Sequence, residues 1–290
     1  MSHITAYLDH VNKEIESQLE YAKKLSIKQI SMRFFDDHTL KDLTSNSIKP
    51  LVVLLKKEKL TLGILDASYP HPIVGFDKEV LKQIFANAEA LQTKTLLLDL
   101  PSLDDFDLQH DLLLEYVKWV MDENKKKHFQ VVFKMNPSYK PGIMAFLVNN
   151  FKAIKLQFDC GLIYEQKASV TTTYRILKKN TEVLSAYDID KLFEPALLGY
   201  GQTGILDIAK KMKRDGFKGY VVIDTNLIGY LTNKTNPTAK KKWLGLFSRD
   251  KKTKKKYDRM DEILGIAEGA SATYEGLIEV YKSVLEKILA

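Results

Sequence analysis

The stretch LGYGQTGILDIAKKMKRDGFKGYVVID, from Leu198 to Asp224, decides the fold. It links the apolar run PALLG (Pro195 to Gly199) to the apolar run YVVID (Tyr220 to Asp224), and both runs have the length and composition of buried strands. Gly216 suits the left-handed position that ends a helix, and Gly219 suits a tight entry into the final strand. The stretch therefore predicts a strand, a helix and a second strand in succession, which is the repeating unit of parallel α/β proteins.

Similar apolar runs recur along the chain and give eight predicted strands. They span Ile27 to Phe34, Leu60 to Asp66, Thr95 to Leu100, Phe129 to Met135, Ile154 to Asp159, Glu182 to Asp188, Pro195 to Gly199 and Tyr220 to Asp224. Because strands that alternate with helices form parallel sheets, and eight units favour closure, we predict an α/β fold of the (β/α)8 TIM-barrel type. An open sheet is the alternative, since the connection between the sixth and seventh runs is too short for an ordinary helix.

Two additions to the barrel are predicted. Apolar residues at helical spacing between Ile4 and Ala22 indicate an extra N-terminal amphipathic helix before the first strand. A basic insertion at about residues 232–257 follows the eighth strand, and Lys234 to Arg259 contains eleven basic and two acidic residues, whereas the rest of the chain is slightly acidic. We treat residues 1–290 as a single TIM-barrel domain, since about 250 residues plus insertions is the usual size of this fold.

The composition excludes several classes of protein. With 45% hydrophobic and 28% charged residues, the chain has the composition of a globular protein rather than a disordered one. No apolar run approaches the roughly 18 residues that span a bilayer, and the N-terminus lacks the pattern of a signal peptide. The single cysteine, Cys160, has no partner for an internal disulfide. These features predict a cytoplasmic protein.

Charged residues stand at the carboxyl ends of most predicted strands, the end at which TIM barrels carry their active sites. These residues are Asp66, Asp99, Lys134, Asp159, Asp188 and Asp224. Carboxylates gathered in a partly desolvated mouth raise one another's pKa unless a cation lies among them. That cation is either a divalent metal ion with oxygen ligands or the ammonium group of Lys134. The alternative is that the aspartates only cap helices or end strands in solvent.

The stretch from Leu198 to Asp224 also resembles the last strand-helix-strand unit of the xylose-isomerase-like TIM-barrel superfamily, which contains sugar-phosphate isomerases and epimerases. In that superfamily Leu-Gly-x-Gly, an Asp, a helix, Gly-Tyr-x-Gly and a strand ending in Glu recur in this order. The matching residues are Gly199, Gly201, Asp207, Gly216, Phe217 and Gly219. The resemblance implies the TIM-barrel fold and isomerase or epimerase activity on a sugar or sugar phosphate.

The resemblance also implies a metal site, of which this sequence keeps only a part. The carboxylate positions that are kept are Asp159, Asp188 and Asp224. Where the superfamily has a Glu and two His, this chain has Lys134, Leu162 and Ser185, and none of its six histidines lies beyond His128. We therefore predict a degenerate site with no metal ligands and no cofactor, a weakly bound divalent metal being the alternative.

Two functions fit these residues. The first is a sugar or sugar-phosphate isomerase or epimerase without a tightly bound metal. In it Asp224 acts as the base, and Lys134, paired with Asp159, stabilises the developing enediolate. The second is a catalytically inactive barrel that binds a sugar-like ligand or a partner, with Lys134 neutralising the former metal site. Whether the protein is an enzyme stays open between the two.

Five residues near the strand ends are predicted to bind the substrate: Arg33, Asp66, His71, Asp99 and Asp188. Arg33 can meet a phosphate group, and a structural ion pair is the favoured alternative. His71, in the loop after the second predicted strand, can bind a substrate hydroxyl, and an exposed loop histidine is the favoured alternative.

The basic insertion, Lys234 to Arg259, allows three interpretations. It forms a solvated loop, a lid whose lysines meet a substrate phosphate, or a segment that binds nucleic acid or an anionic membrane. We favour the solvated loop, and the contact with nucleic acid or membrane is the least favoured. The oligomeric state is left open.

Overall fold

The computed structural model describes residues 2–225, 227 and 273–290, and the structural statements below concern these residues. The strands are β1 His3–Ala6, β2 Gln29–Met32, β3 Thr61–Asp66, β4 Thr95–Asp99, β5 Gln130–Lys134, β6 Leu156–Asp159, β7 Thr181–Ala186, β8 Asp188–Ile189, β9 Pro195–Ala196 and β10 Tyr220–Ile223. Eight of them form a parallel sheet in the order β1-β10-β7-β6-β5-β4-β3-β2. A parallel bridge between Tyr7 and Ser31 brings the two edge strands together, so the sheet closes into a barrel.

Helices surround the barrel and alternate with its strands. They are α1 Ile15–Lys24, α2 Ser45–Lys57, α3 Lys78–Ala90, α4 Phe106–Asn124, α5 Pro141–Asn150, α6 Cys160–Glu165, α7 Val170–Leu177, α8 Ile205–Arg214 and α9 Tyr274–Leu289. Short polar side chains cap several helix N-termini: Asp77 at α3, Asp105 at α4, Ser169 at α7 and Thr273 at α9 each accept a hydrogen bond from a backbone N–H of the first turn. The prediction of an α/β TIM barrel is confirmed.

One face of the strands fills the barrel interior. Its buried side chains are Tyr7, Ile64, Leu97, Val132, Val183, Tyr220 and Val222. The opposite face packs against the helices in a larger core that includes Leu65, Leu98, Phe133 and Leu184. Successive strand residues point to opposite faces. Residues two positions beyond the interior residues therefore also point inward, toward the mouth of the barrel.

The N-terminal prediction is wrong in its first part. Residues His3–Ala6 form strand β1, which pairs with β10, and the first helix begins only at Ile15. A barrel strand is buried on both faces, so its apolar residues do not follow the strict alternation that distinguishes a strand from a helix. There is accordingly no extra helix ahead of the barrel in the described chain.

The predicted seventh strand is also placed differently. Pro195–Ala196 pairs antiparallel with Asp188–Ile189 in a small hairpin outside the barrel sheet. A barrel strand needs a hydrogen bond from every second backbone N–H to each neighbour, which Pro195 cannot supply. The total of eight barrel strands holds because β1 takes the place of this run. The basic insertion at about 232–257 lies outside the described residues. Among the described helices, none is long and apolar enough to cross a membrane.

Candidate functional site

The alternation along the strands carries a set of polar side chains into the mouth of the barrel. Each lies two residues beyond an inward-facing residue or continues the same alternation: Asp9, Arg33, Asp66, Asp99, Lys134, Asp159, Tyr187 and Asp224. They come from all eight strands of the barrel sheet, so the mouth is lined by charge on every side.

Arg33 organises one half of the mouth. Its Nε donates to Oδ2 of Asp9 at 2.7 Å, its Nη1 lies 3.1 Å from Oδ1 of Asp224, and its guanidinium carbon lies 4.4 Å from the ring centre of Tyr7. Burial alone disfavours the charge of Arg33, but the carboxylates of Asp224 and Asp9 outweigh it and raise its pKa. Arg33 is thus a fixed cation held between two carboxylates.

His10 completes this half of the mouth. Its Nε2 lies 2.9 Å from Oδ1 of Asp224 and 3.2 Å from Nη2 of Arg33. Because a carboxylate only accepts, the shorter contact makes Nε2 the donor to Asp224, and in that tautomer the contact with Arg33, whose guanidinium also only donates, is not a hydrogen bond. Burial raises the pKa of Asp224, but the hydrogen bond from His10 and the charge of Arg33 more than offset this, so the pKa is lowered. Asp224 therefore stays ionised and is a weak base.

Lys134 organises the other half of the mouth. Its Nζ lies 2.9 Å from Oδ1 and 3.0 Å from Oδ2 of Asp66, and 3.0 Å from Oδ1 of Asp99. Burial opposes the ammonium charge, but the carboxylates of Asp66 and Asp99 outweigh it and raise the pKa of Lys134. The Tyr7 hydroxyl donates to Oδ2 of Asp66 at 3.2 Å, so Tyr7 touches both halves of the mouth.

The predicted ion pair between Lys134 and Asp159 is not formed. Lys134 is level with Asp99, its partner in the register of β4 and β5. On the other side, Phe133 is level with Leu156, so Lys134 lies opposite Gln157 and Asp159 extends two residues further. The stagger of the barrel strands thus directs Lys134 away from Asp159.

Asp159 has no cation partner in the described chain. Its Oδ1 accepts a hydrogen bond from the Tyr187 hydroxyl at 2.6 Å and from the backbone N–H of Leu162 at 2.9 Å, the latter at the start of α6. Burial is the main cause that raises the pKa of Asp159 from 3.8 to about 6, and the charge of Asp224 adds to it. Asp159 is thus a carboxyl group that can exchange a proton near neutral pH.

His71 is buried rather than exposed, with 8% of its surface accessible. Its Nδ1 donates to the carbonyl of Tyr69 at 2.8 Å, and its ring stacks on that of Tyr69. Burial lowers the pKa of His71, so the ring is neutral and Nε2 is an acceptor. Nε2 is buried without a partner in the described part of the chain.

Asp188 is not brought into the mouth with the other predicted residues. It follows inward-facing Tyr187 and so lies on the opposite face, where its carboxylate accepts the backbone N–H groups of Gly199, Gly201 and Thr203. A Cβ on Gly201 would collide with this carboxylate, which explains the glycine at that position of the motif. Strand β7 ends at Ala186, two residues before the end of the predicted run, and Asp188 therefore shapes the loop before α8.

The donor set does not fit the divalent metal that the resemblance implies. The position of the first carboxylate ligand holds Lys134, whose ammonium group engages Asp66 and Asp99, and the carboxylate of Asp159 is engaged by Tyr187. No group of three His, Cys, Asp or Glu side chains in the described residues is arranged to hold a metal ion. A cation of the chain thus stands at a ligand position and repels a metal.

Four residues of the mouth were not predicted as site residues from the sequence: Tyr7, Asp9, His10 and Tyr187. The first three follow β1, which the helical spacing of Ile4 to Ala22 concealed. The charged pair Asp9 and His10 after an apolar run was the available signal. At this strand end the prediction named the neighbouring Asp188 instead of Tyr187. Only the alternation of side chains along β7 shows that Tyr187 is the residue that points into the mouth.

No protein-family model and no curated protein matches the sequence. Solved structures do match. A xylose isomerase domain protein from Planctomyces limnophilus superposes with a TM-score of 0.63 at 11% identity, covering 81% of this chain and 96% of that one. A D-tagatose 3-epimerase-like protein gives 0.62 at 14% identity, with coverage of 82% and 100%. The 3-keto-D-glucoside 4-epimerase of E. coli gives 0.59 at 12% identity, with coverage of 78% and 92%.

The sheet topology and these matches together define the fold. The chain is a TIM barrel, as its eight parallel strands show. Within that class it has the fold of the xylose isomerase-like TIM-barrel proteins.

Proposed function

We propose that the protein isomerises or epimerises a sugar or sugar derivative in the mouth of the barrel, with Asp159 as the group that moves the proton. The observation that carries this proposal is the state of Asp159. Its pKa lies at about 6, it faces the mouth, and it has no cation partner in the described chain. A base is most effective when its pKa lies near the working pH, and such a group contributes about 10²–10⁴ in rate.

The proposed reaction uses the two halves of the mouth differently. Asp159 takes the proton from the carbon next to the substrate carbonyl, and the electrons of that C–H bond form the enediolate. The positive charges of Lys134 and Arg33 favour the negative charge that develops on the oxygen. Asp159 then returns the proton to the neighbouring carbon while the hydroxyl proton passes from that carbon's oxygen to the former carbonyl oxygen, which isomerises the sugar. In an epimerisation the His10–Asp224 pair delivers a proton to the other face of the same carbon.

The proposal assigns no resident metal to this reaction. In the described mouth, the cations Arg33 and Lys134 already bridge carboxylates in the way a divalent ion would. We expect activity to survive removal of divalent ions by a chelator. Activity that is lost with the chelator and restored by one particular metal would contradict this part of the proposal.

A binding-only barrel is the second candidate, and one observation favours it. Four of the five mouth aspartates already have a cation partner, so the mouth is stable without a substrate. In that case Lys134 and Arg33 only neutralise the site, and a sugar-like ligand binds without turnover.

Exchange of sugar C–H protons for deuterium separates the two candidates. The purified protein is incubated with aldoses and ketoses in D2O, and the loss of the proton signal next to the carbonyl is followed by NMR. We expect exchange with the wild type, none with Asp159→Asn, and normal exchange with Asp122→Asn, an exposed aspartate at the far end of α4. Equal exchange by wild type and Asp159→Asn would refute the role of Asp159. Binding of a sugar without any exchange would establish the second candidate.

A further inference from the structure

The charge of the mouth limits what it can bind. Five inward-facing aspartates line it: Asp9, Asp66, Asp99, Asp159 and Asp224. The cations among them are Arg33, Lys134 and, when protonated, His10. Even with His10 counted as positive, carboxylates outnumber cations, so the field in the described mouth favours ligands without negative charge.

The two fixed cations also have few donors left for a ligand. The three protons of the Lys134 ammonium are directed at the oxygens of Asp66 and Asp99. Arg33 uses Nε on Asp9 and Nη1 on Asp224. A phosphate group binds through several donors aimed at its oxygens, and here the Lys134 ammonium and the Nε and Nη1 of Arg33 are engaged by carboxylates of the chain, while Nη2 of Arg33 lies 3.2 Å from Nε2 of His10.

The backbone donors near the last strand-helix unit are engaged as well. TIM barrels often bind phosphate with the loops after the seventh and eighth strands and a nearby helix N-terminus. In this chain the N–H groups of Gly199, Gly201 and Thr203, just before α8, all point to the carboxylate of Asp188. An internal carboxylate therefore takes the place that a phosphate would need.

The polar atoms that remain unpaired are acceptors. Among the buried side-chain atoms without a partner in the described chain are Oδ1 of Asp9 and Nε2 of His71. Asp9 lies in the mouth after β1, and His71 lies in the loop after β3, against Tyr69 and Tyr116. Acceptors match a ligand that brings O–H or N–H donors, and they repel phosphate or carboxylate oxygens.

We infer that the ligand of this mouth is an unphosphorylated polyhydroxy compound, a free sugar or amino sugar, and that phosphate esters and sugar acids are rejected. The inference rests on the proposed function, since it names the substrate class of the same site. The sequence left both sugars and sugar phosphates open as ligands, and it left Arg33 either as a phosphate contact or as part of a structural ion pair. The inference excludes the phosphate in both cases.

The test compares matched ligands by calorimetry. Free ketoses and aldoses, the corresponding amino sugars, the corresponding phosphate esters and inorganic phosphate are titrated into the full chain at low and high salt. We expect the phosphate ester of any sugar that binds to be weaker than the free sugar by about tenfold or more at low salt, with a smaller difference at high salt. A phosphate ester that binds as tightly as its free sugar overturns the inference.

A charge variant tests the electrostatic cause. Asp9→Asn keeps the shape of the side chain and removes one negative charge, so the preference for the free sugar over its phosphate ester should shrink. The exposed Asp122→Asn variant, which lies far from the mouth, should leave the preference unchanged. An unchanged preference in Asp9→Asn overturns the electrostatic explanation and the inference with it.

The outcomes distinguish this inference from the proposed function. Free sugars that bind without deuterium exchange refute the proposed function and leave the substrate class in place. Phosphate esters that undergo exchange refute the substrate class and leave the proposed function in place. If no member of either class binds, the inference is overturned, and deuterium exchange, which detects turnover without saturation, still tests the function.

Discussion

Replacement of Asp159 by asparagine should change the pH dependence of stability in a defined direction. Burial raises the pKa of this carboxyl group in the folded protein, so between its ordinary value of 3.8 and about 6 the folded state binds more protons than the unfolded state. The free energy of unfolding therefore falls as the pH rises through this window. Asparagine does not titrate, fits the same space, and still caps α6, so only the ionisation is removed.

The magnitude follows from the two pKa values. The interval from 3.8 to about 6, at 1.36 kcal/mol per pH unit, makes ionised Asp159 cost about 3 kcal/mol of stability above pH 7. The difference in unfolding free energy between Asp159→Asn and wild type should therefore grow by about 3 kcal/mol from pH 4 to pH 8. For a domain of this size that corresponds to roughly 5–10 °C in the midpoint of thermal unfolding.

Urea unfolding of both proteins at a series of pH values measures this difference. Tyr187→Phe is the companion variant, because loss of the Tyr187 hydroxyl removes a hydrogen bond that lowers the pKa of Asp159. In that variant the window should move to higher pH. Parallel stability curves for wild type and Asp159→Asn across pH 4 to 8 would show that the carboxyl group is not perturbed, and its role as a base near neutral pH would fall with it.

Three other substitutions test the ion pairs of the mouth and two contacts outside it. Lys134→Met leaves two largely buried carboxylates without their cation and should lower the unfolding free energy at pH 8 by about 3 kcal/mol in urea titrations; no loss would mean that the ion pairs are not formed. Gly201→Ala should lower it by about 1–3 kcal/mol, because the new Cβ collides with Asp188, whereas Gly142→Ala, which meets no atom within 4 Å, should unfold within about 0.5 kcal/mol of wild type. Tyr281→Phe removes a buried hydroxyl with two hydrogen-bond partners and should cost about 1–3 kcal/mol in thermal unfolding; a variant as stable as wild type would contradict this.

The sequence was sufficient for the class of fold because alternation of strands and helices is a property of the whole chain. Individual elements were less certain where two physical signals coincide. The segment from His3 to Ala6 is a barrel strand in which neighbouring Thr5 and Ala6 are both buried, and its apolar residues also suit a helix. The run at Pro195 begins in the hairpin, and its residues Ala196, Leu197 and Leu198 are buried although they lie outside the barrel sheet.

The residues of the mouth could also be predicted only in part, because the ends of apolar runs locate charged residues but do not show which of them pair. Asp66, Asp99 and Lys134 were predicted because they end apolar runs. The structure brings both carboxylates within hydrogen-bond distance of the Lys134 ammonium group. The choice of Asp99 over Asp159 as the partner of Lys134 depends on the stagger between neighbouring strands, which leaves no trace in a single sequence.

The lysine at the end of β5, where the resemblance implies a metal ligand, has a consequence for the carboxylate that it does not reach. A divalent ion would hold all neighbouring carboxylates ionised and engage them as ligands. Among the described carboxylates, the ammonium group of Lys134 contacts only those of Asp66 and Asp99. Asp159 is partly exposed beside Tyr187 and has no cation partner in the described chain, and desolvation is the main cause that raises its pKa to about 6. A mouth whose carboxylates are bridged by Lys134 thus still holds a carboxyl group able to accept and return a proton, so a departure from the superfamily's ligand pattern does not by itself imply loss of chemistry.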